Sequence, residues 1–175
     1  MSAHPLEVAR TARLRLRQVV PDDAAVYLEL LNDPAFIQYI GDRGVRTLED
    51  AAASIVDGPV AMQRARGHAM YMVELLESGE PLGLSGLIKR DFLDDVDIGY
   101  AFLPRHRGQG YAFEAAQAVA SHARELGLPR LAAIVNPDNR ASVRLLLKLG
   151  MRFERFIVPA AGQRGVNLYG MTIAS

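Results

Sequence analysis

Pro104-Arg-His-Arg-Gly-Gln-Gly-Tyr-Ala-Phe-Glu-Ala115 is the stretch of this 175-residue sequence whose residue types and spacing are best suited to chemistry. Gly108 and Gly110 flank Gln109, between an apolar run ending at Pro104 and an amphipathic run beginning near Tyr111. Backbone amides at a helix start lack internal partners and share the positive end of the helix dipole, so anions bind there. Glycines remove the side chains that would hold a phosphate away from those amides. Each charge-assisted hydrogen bond contributes about 1.5 to 3 kcal/mol, and Arg105 and Arg107 are expected to add positive potential. Arg107 to Ala112 therefore predicts a cradle for a phosphate-bearing cofactor. A dinucleotide fingerprint needs a third glycine, but Phe113 stands at that position. A P-loop needs Gly-Lys, and neither Lys89 nor Lys148, the only lysines, follows a glycine. The competing reading, an ordinary glycine-bearing turn, is countered by the flanking arginines, the preceding strand and the following helix.

The elements that must position this loop follow from periodicity and turn chemistry. Ala12, Leu14 and Leu16 alternate with Arg13, Arg15 and Arg17, the pattern of a half-buried strand with its arginines in solvent. Pro21-Asp22-Asp23 reads as a helix start and Asn32-Asp33-Pro34 as its end. A second helix is expected from Thr47 as N-cap to about Val56, broken by Asp57-Gly58-Pro59. Ala69 to Leu76 and Leu82 to Ile88 read as a hairpin, and Val96 to Leu103 as a strand stopped by Pro104. After the loop, Ala112, Ala116, Val119, Ala123 and Leu126 share one helical face. Leu131 to Val135 then forms a strand, and Arg140 to Leu149 a helix closed by Gly150. The last two strands, Arg152 to Val158 and Val166 to Ile173, are expected to pair antiparallel.

Composition narrows the function. Half the residues are apolar, enough for the core of a single domain spanning 1–175. There is no cysteine, which removes disulfides, thiolate metal sites and an acyl-cysteine intermediate. Basic and acidic residues balance at 20 each, and the pI of about 6.9 argues against a nucleic-acid partner. No apolar run approaches the ~18 residues of a membrane span, and the opening MSAHPLEVAR has no signal-peptide pattern. The expected compartment is the cytoplasm. His4, His68, His106 and His122 show no paired ligand spacing, so no metal is expected.

Arg107-Gly-Gln-Gly110-Tyr-Ala112 resembles the Arg/Gln-x-x-Gly-x-Gly/Ala motif of the GNAT acetyltransferases. Asp97-Ile-Gly-Tyr100, Asn136-Pro-Asp-Asn139-Arg-Ala-Ser142 and Lys148-Leu-Gly150 look like the group that acetylates ribosomal-protein N-termini, and nearly the whole chain follows that group's element order. The resemblance implies an α+β, three-layer fold: a mixed, mostly antiparallel, splayed sheet of about six or seven strands with helices on both faces. It further implies acetyl-CoA (coenzyme A) as co-substrate, wedged between the strand ending at Leu103 and the strand ending near Asn136. The backbone around Phe102 and Leu103 would hold the pantetheine arm. Arg107, Gly108, Gln109, Gly110, Tyr111 and Ala112 would hold the pyrophosphate. Asn139 would contact the cofactor, or simply cap its helix. Ser142 would lie near the thioester sulfur, or serve as a small packing residue.

Leu146 stands where many superfamily members carry a tyrosine proposed to protonate the departing thiolate. A thiol pKa near 8.5 means that leaving as thiolate at pH 7 forfeits only about 2 kcal/mol. Asp97 occupies the strand position where related enzymes often place a glutamate base; its plain alternative is an exposed strand charge. With an ordinary pKa near 3.9 it would need desolvation or a relaying water. Deprotonating a lysine at pH 7 costs about 4.6 kcal/mol, an α-amine about 1. The expected activity is direct transfer of acetyl to a primary amine, a peptide N-terminus or a small molecule, in a ternary complex. The alternative is a CoA-binding sensor or interaction module with little or no turnover. Gly83-Leu-Ser85-Gly86-Leu87 approaches a hydrolase nucleophile elbow, but its last position is not glycine. Acceptor choice falls to the segments Phe36 to Gly44 and Ala160 to Gly165, with Tyr39, Tyr71 and Tyr169 at the cleft or in packing. Homodimer formation is left open.

Overall fold

The alternating leucines and arginines form β2 (Leu14–Gln18), with Leu14 and Leu16 fully buried. A strand absent from the sequence reading, β1 (Glu7–Arg10), pairs antiparallel with it. The arginines of β2 do not simply face solvent. Arg17 binds Asp23 at 2.9 Å and Glu74 at 3.0 Å, while Arg15 reaches Glu7 at 3.2 Å and Glu74 at 3.3 Å. Like-charged neighbours at this spacing are held together by the carboxylates interleaved from adjacent elements. The computed structural model describes residues 5–173, so the first four residues of the opening MSAHPLEVAR lie outside the described residues.

A 3₁₀ turn at Pro21–Asp23 leads into α1 (Ala24–Leu31). Asn32-Asp33-Pro34 ends that helix and also starts α2 (Pro34–Tyr39): the Asp33 carboxylate accepts the Phe36 N–H at 3.2 Å and Pro34 takes the first helical position. Thr47 caps α3 (Leu48–Ile55), its hydroxyl accepting the Asp50 N–H at 3.0 Å. Asp57-Gly58-Pro59 does not break the helix. The chain passes through a π turn at Val56–Val60 into α4 (Ala61–Arg66), which ends at Gly67 with φ +77°. The wider turn accommodates a proline that has no N–H to donate, where a regular α turn would clash with its ring.

Strands β3 (Met70–Leu75), β4 (Pro81–Ile88), β5 (Asp97–Phe102), β6 (Arg130–Val135), β7 (Arg152–Ile157) and β8 (Val166–Thr172) complete one sheet. Its order is β1-β2-β3-β4-β5-β6-β8-β7, eight strands rather than six or seven, the unforeseen β1 extending it at one edge. Every neighbouring pair is antiparallel except β5 with β6. Helix α5 (Tyr111–Glu125) lays Ala115, Ala116, Val119 and Ala123 on one face of the sheet, against Leu14, Leu16, Val73 and Ile98. Helices α1 and α3 cover the other face, where Leu30 and Ile55 meet Met72, Leu84 and Leu103. Helix α6 (Arg140–Leu149) follows β6. The parallel strands β5 and β6 register only at Asp97 and Ala132, where the Ala132 N–H donates to the Val96 carbonyl at 2.8 Å, and then diverge. That divergence opens the cleft.

Candidate active site

The loop between β5 and α5 presents its amides as expected, though its charges are disposed differently. Gly108 and Gly110 have φ of +78° and +82°, a left-handed conformation that only glycine adopts readily. The backbone N–H groups of residues 108–113 find no acceptor among the described residues. Arg13, from the turn before β2, braces the loop: its guanidinium donates to the Gln109 carbonyl at 3.0 Å, pairs with Glu114 at 2.8 Å and lies 4.5 Å from the centre of the Tyr111 ring. Arg107 and Arg105 are not free cations. Arg107 donates to the Phe102 carbonyl at 2.8 and 3.1 Å and to Asp33 at 2.6 Å, and Arg105 pairs with Glu29 at 2.5 Å. The anion-binding potential of the loop therefore lies in its amides and helix dipole, with Arg107 tying the loop to β5 and α2.

Two cavities open from the cleft. One, of about 660 Å³, runs along the loop and is lined by Phe102, Arg107, Gly108, Gly110, Tyr111 and Ala112 on one side and by Arg140, Arg144 and Lys148 on the other. The second, of about 470 Å³, lies across β5 and is walled by Tyr27, Met62, Met70, Leu84, Ile88 and Val166, with Arg43, Arg90 and Asp97 as its charged members. Both cavities are lined by Phe36, Tyr39, Ile40, Tyr100, Ala101, Asn139 and Ser142, so they meet beside Ser142. Asn139 caps α6, its Oδ1 accepting the Ser142 N–H at 3.3 Å, and also lines both cavities. The cap and the cofactor contact are thus compatible.

Asp97 is not an exposed strand charge: it is 1% exposed. Burial pushes its carboxyl up to about 6, although the Arg90 guanidinium, 2.5 Å away, favours the ionised form. Tyr100, two residues past Ile98 on the same face of β5, brings its phenol against the Ser142 hydroxyl, and burial raises its pKa to about 12. Sequence reasoning placed Tyr100 only within a motif. The signal available was its position four residues before Pro104, on the strand that flanks the cleft.

Other expected site residues lie elsewhere. Leu103 lines neither cavity: it is fully buried among α1, α3 and β4, and its N–H is bound to the Leu82 carbonyl at 3.0 Å. Gln109 is exposed and takes part through its backbone. Of the three tyrosines, Tyr39 lines both cavities, whereas Tyr71 packs on His122 and Tyr169 on Phe153. Leu146 is 1% exposed and walls the second cavity without a hydroxyl. The segments flanking that cavity touch: Arg164 donates to the Gln38 carbonyl at 2.6 Å.

Residues 13–152 match the family model of the acetyltransferase (GNAT) domain. The chain belongs to the GNAT acetyltransferase family. This GNAT enzyme is 32% identical over 172 residues to the uncharacterised N-acetyltransferase YoaA of Bacillus subtilis, covering 94% of this chain and 96% of that one. The crystal structure of an acetyltransferase from Agrobacterium tumefaciens shares 27% identity and a TM-score of 0.78 over 98% of this chain and 95% of that one. At the level of fold, the ribosomal L7/L12 alpha-N-protein acetyltransferase RimL, solved in complex with coenzyme A, superposes with a TM-score of 0.81 at 20% identity, over 95% and 98% of the two chains. The motif, the splayed sheet and these relatives converge on an N-acetyltransferase acting on an amine. No helix among the described residues is long and apolar enough to cross a membrane.

Proposed function

We propose that this protein transfers acetyl from acetyl-CoA directly to a primary amine while both are bound. The observation that carries the reading is the meeting of two cavities beside Ser142, one reaching the amide cradle and the other reaching Asp97. A pyrophosphate fits the cradle because the amides of residues 108–113 lack acceptors and the glycines leave them uncovered. When bound, acetyl-CoA supplies an activated thioester. The amides of residues 108–113 then hold the pyrophosphate, and the edge of β5 left unpaired beyond Asp97 lines the pantetheine arm. Asn139 and Ser142 border the thioester, and the second cavity takes the amine. No cysteine is present to accept the acetyl group first, which favours direct attack.

Asp97 serves as the proton acceptor. Its Oδ2 is engaged by Arg90, which leaves Oδ1 to take a proton from the amine through a water. A carboxylate near 6 is a far better base at neutral pH than one near 3.9. The largely apolar walls, with Arg43 and Arg90 among three charged groups, favour a single amine on an apolar body over a polycation. Mass spectrometry of free-N-terminal peptides and small amines incubated with acetyl-CoA is expected to show a stoichiometric acetyl gain. Tight CoA binding with no acetylation anywhere in the panel would overturn this reading in favour of an inert CoA module.

A further inference from the structure

We infer that the acceptor is an amino-carboxylate, its amine held toward Asp97 and its carboxylate seated on Arg43 at the helical wall of the second cavity. The inference rests on the acetyl-transfer reading above and names the acceptor class for it. The cavity has two polar ends carried by different layers. Asp97 comes from β5 on the sheet side, whereas Tyr27 of α1, Ser54 of α3 and Arg43, from the segment joining α2 to α3, belong to the helical layer. The rest of the wall is largely apolar, with Met62, Met70 and Leu84 among its members.

Charge bookkeeping leaves one cation over. Arg90 pairs with Asp97 at 2.5 Å, and Asp97 is the one carboxylate among the residues lining this cavity. Arg43 forms no ion pair among the described residues, because the carboxylate next to it in sequence, Asp42, is taken by Arg46 at 2.6 Å. Arg43 is exposed, so it can meet an anion that enters with the acceptor. Burial raises the Tyr27 phenol while the Ser54 hydroxyl and the Arg43 charge draw it back down, which places the three groups together with the phenol protonated at neutral pH. A guanidinium flanked by two hydroxyls is a donor set for a carboxylate, and it repels a second ammonium. Since the anion site lies on the helical side and Asp97 on the sheet side, amine and carboxylate must stand at opposite ends of an apolar body, as in a short apolar peptide or an ω-amino acid. The cavity of about 470 Å³ has the size of a small-ligand site.

The test compares acids with their amides. Leucyl-leucine and leucyl-leucinamide share an α-amine and an apolar body and differ at the terminal carboxylate; ε-aminocaproate and ε-aminocaproamide make the same comparison without a peptide bond. In at least one pair the wild type should acetylate the acid with kcat/KM about tenfold above the amide, and the pair that shows it separates peptide from ω-amino acid. Arg43→Ala should remove the preference, Arg43→Glu should reverse it and Arg43→Lys should keep part of it. The amine-free analogue of the preferred acid, isocaproyl-leucine or caproate, gives a readout without turnover: by calorimetry on the coenzyme A-loaded protein its Kd should rise about tenfold in Arg43→Ala. Arg43→Gln takes the place of the alanine variant should that one not fold. Equal kcat/KM for acid and amide in both pairs, acetylation confined to amines outside them, or a preference and Kd that loss of the Arg43 charge leaves unchanged overturns this inference alone. Coenzyme A binding with no acetylation of any amine overturns the transferase reading with it.

Discussion

Asp97 shows how far one side chain depends on where the fold puts it. From its type alone it is a weak base. Buried at the start of β5, with Arg90 as its one charged partner, it titrates at about 6. A base must be ionised to act, so kcat/KM for acetyl transfer should fall as pH drops through about 6. Asp97→Asn should remove that limb and lower the rate by about 10²- to 10⁴-fold. Only the limb set by the amine, near 7.8 for an α-amine, should then remain. A pH–rate profile on both proteins checks this; an unchanged limb in Asp97→Asn would assign the base elsewhere. The opposite case is Arg107, whose type suggested a phosphate ligand. Its guanidinium is taken by Asp33, 74 positions away in sequence, and by the Phe102 carbonyl.

The loop before α5 is the element on which cofactor binding turns. Position 110 needs φ of +82°, which costs a β-branched residue at least about 1–2 kcal/mol, and a Cβ there would stand in contact with the Arg13 guanidinium at 3.4 Å, so that the further atoms of a valine would crowd it. Gly110→Val should therefore abolish the rise in Tm produced by coenzyme A while the protein without ligand stays folded. Arg13→Ala removes the bond to the Gln109 carbonyl, the pair with Glu114 and the contact with Tyr111. It should weaken coenzyme A binding about tenfold by calorimetry, because the amides lose their bracing rather than a direct ligand. Retention of wild-type affinity in both variants would move the pyrophosphate away from this loop.

Across the whole molecule, a buried and a half-buried histidine link the fold to pH. His68 is 5% exposed, with Nδ1 3.3 Å from the Leu87 carbonyl, and His122 packs its Nε2 3.2 Å from the Tyr71 hydroxyl. Burial lowers the pKa of both; at His68 the Leu87 carbonyl opposes the effect and Arg66 and His122 add to it, while Glu125 opposes it at His122. An unfolded histidine near 6.5 takes up a proton that these folded ones resist, so the stability they contribute is complete above about pH 6.5 and declines below it. Thermal unfolding should show Tm falling as the pH drops below about 6.5. His122→Gln, which can still bond Tyr71, should flatten that slope. An identical slope would place the acid sensitivity in other groups.

The sequence by itself determined the order of the strands from β2 onward and of helices α1, α3, α5 and α6, though not α2 or α4, together with the glycine loop and a membership in the GNAT family that residues 13–152 bear out. These are local signals: period-two and helical apolar spacing, caps such as Thr47, and glycines at positions that need positive φ. What it left undetermined depends on residues distant in sequence. Strand β1 carries a short, weakly alternating pattern and exists through its pairing with β2. Pro59 is a breaker by local rules, yet the packing of Val60 and Ile55 under the sheet keeps the chain helical through a π turn. Leu103, its backbone read as a cofactor neighbour, has its N–H taken by the Leu82 carbonyl of β4 and its side chain in the core. Tyr100 and Ser142 lie 42 positions apart, and only the splaying of β5 from β6 brings their hydroxyls together at the mouth of both cavities. Charge pairing, desolvation and hydroxyl orientation are tertiary properties, because each is fixed by whatever group the fold places opposite.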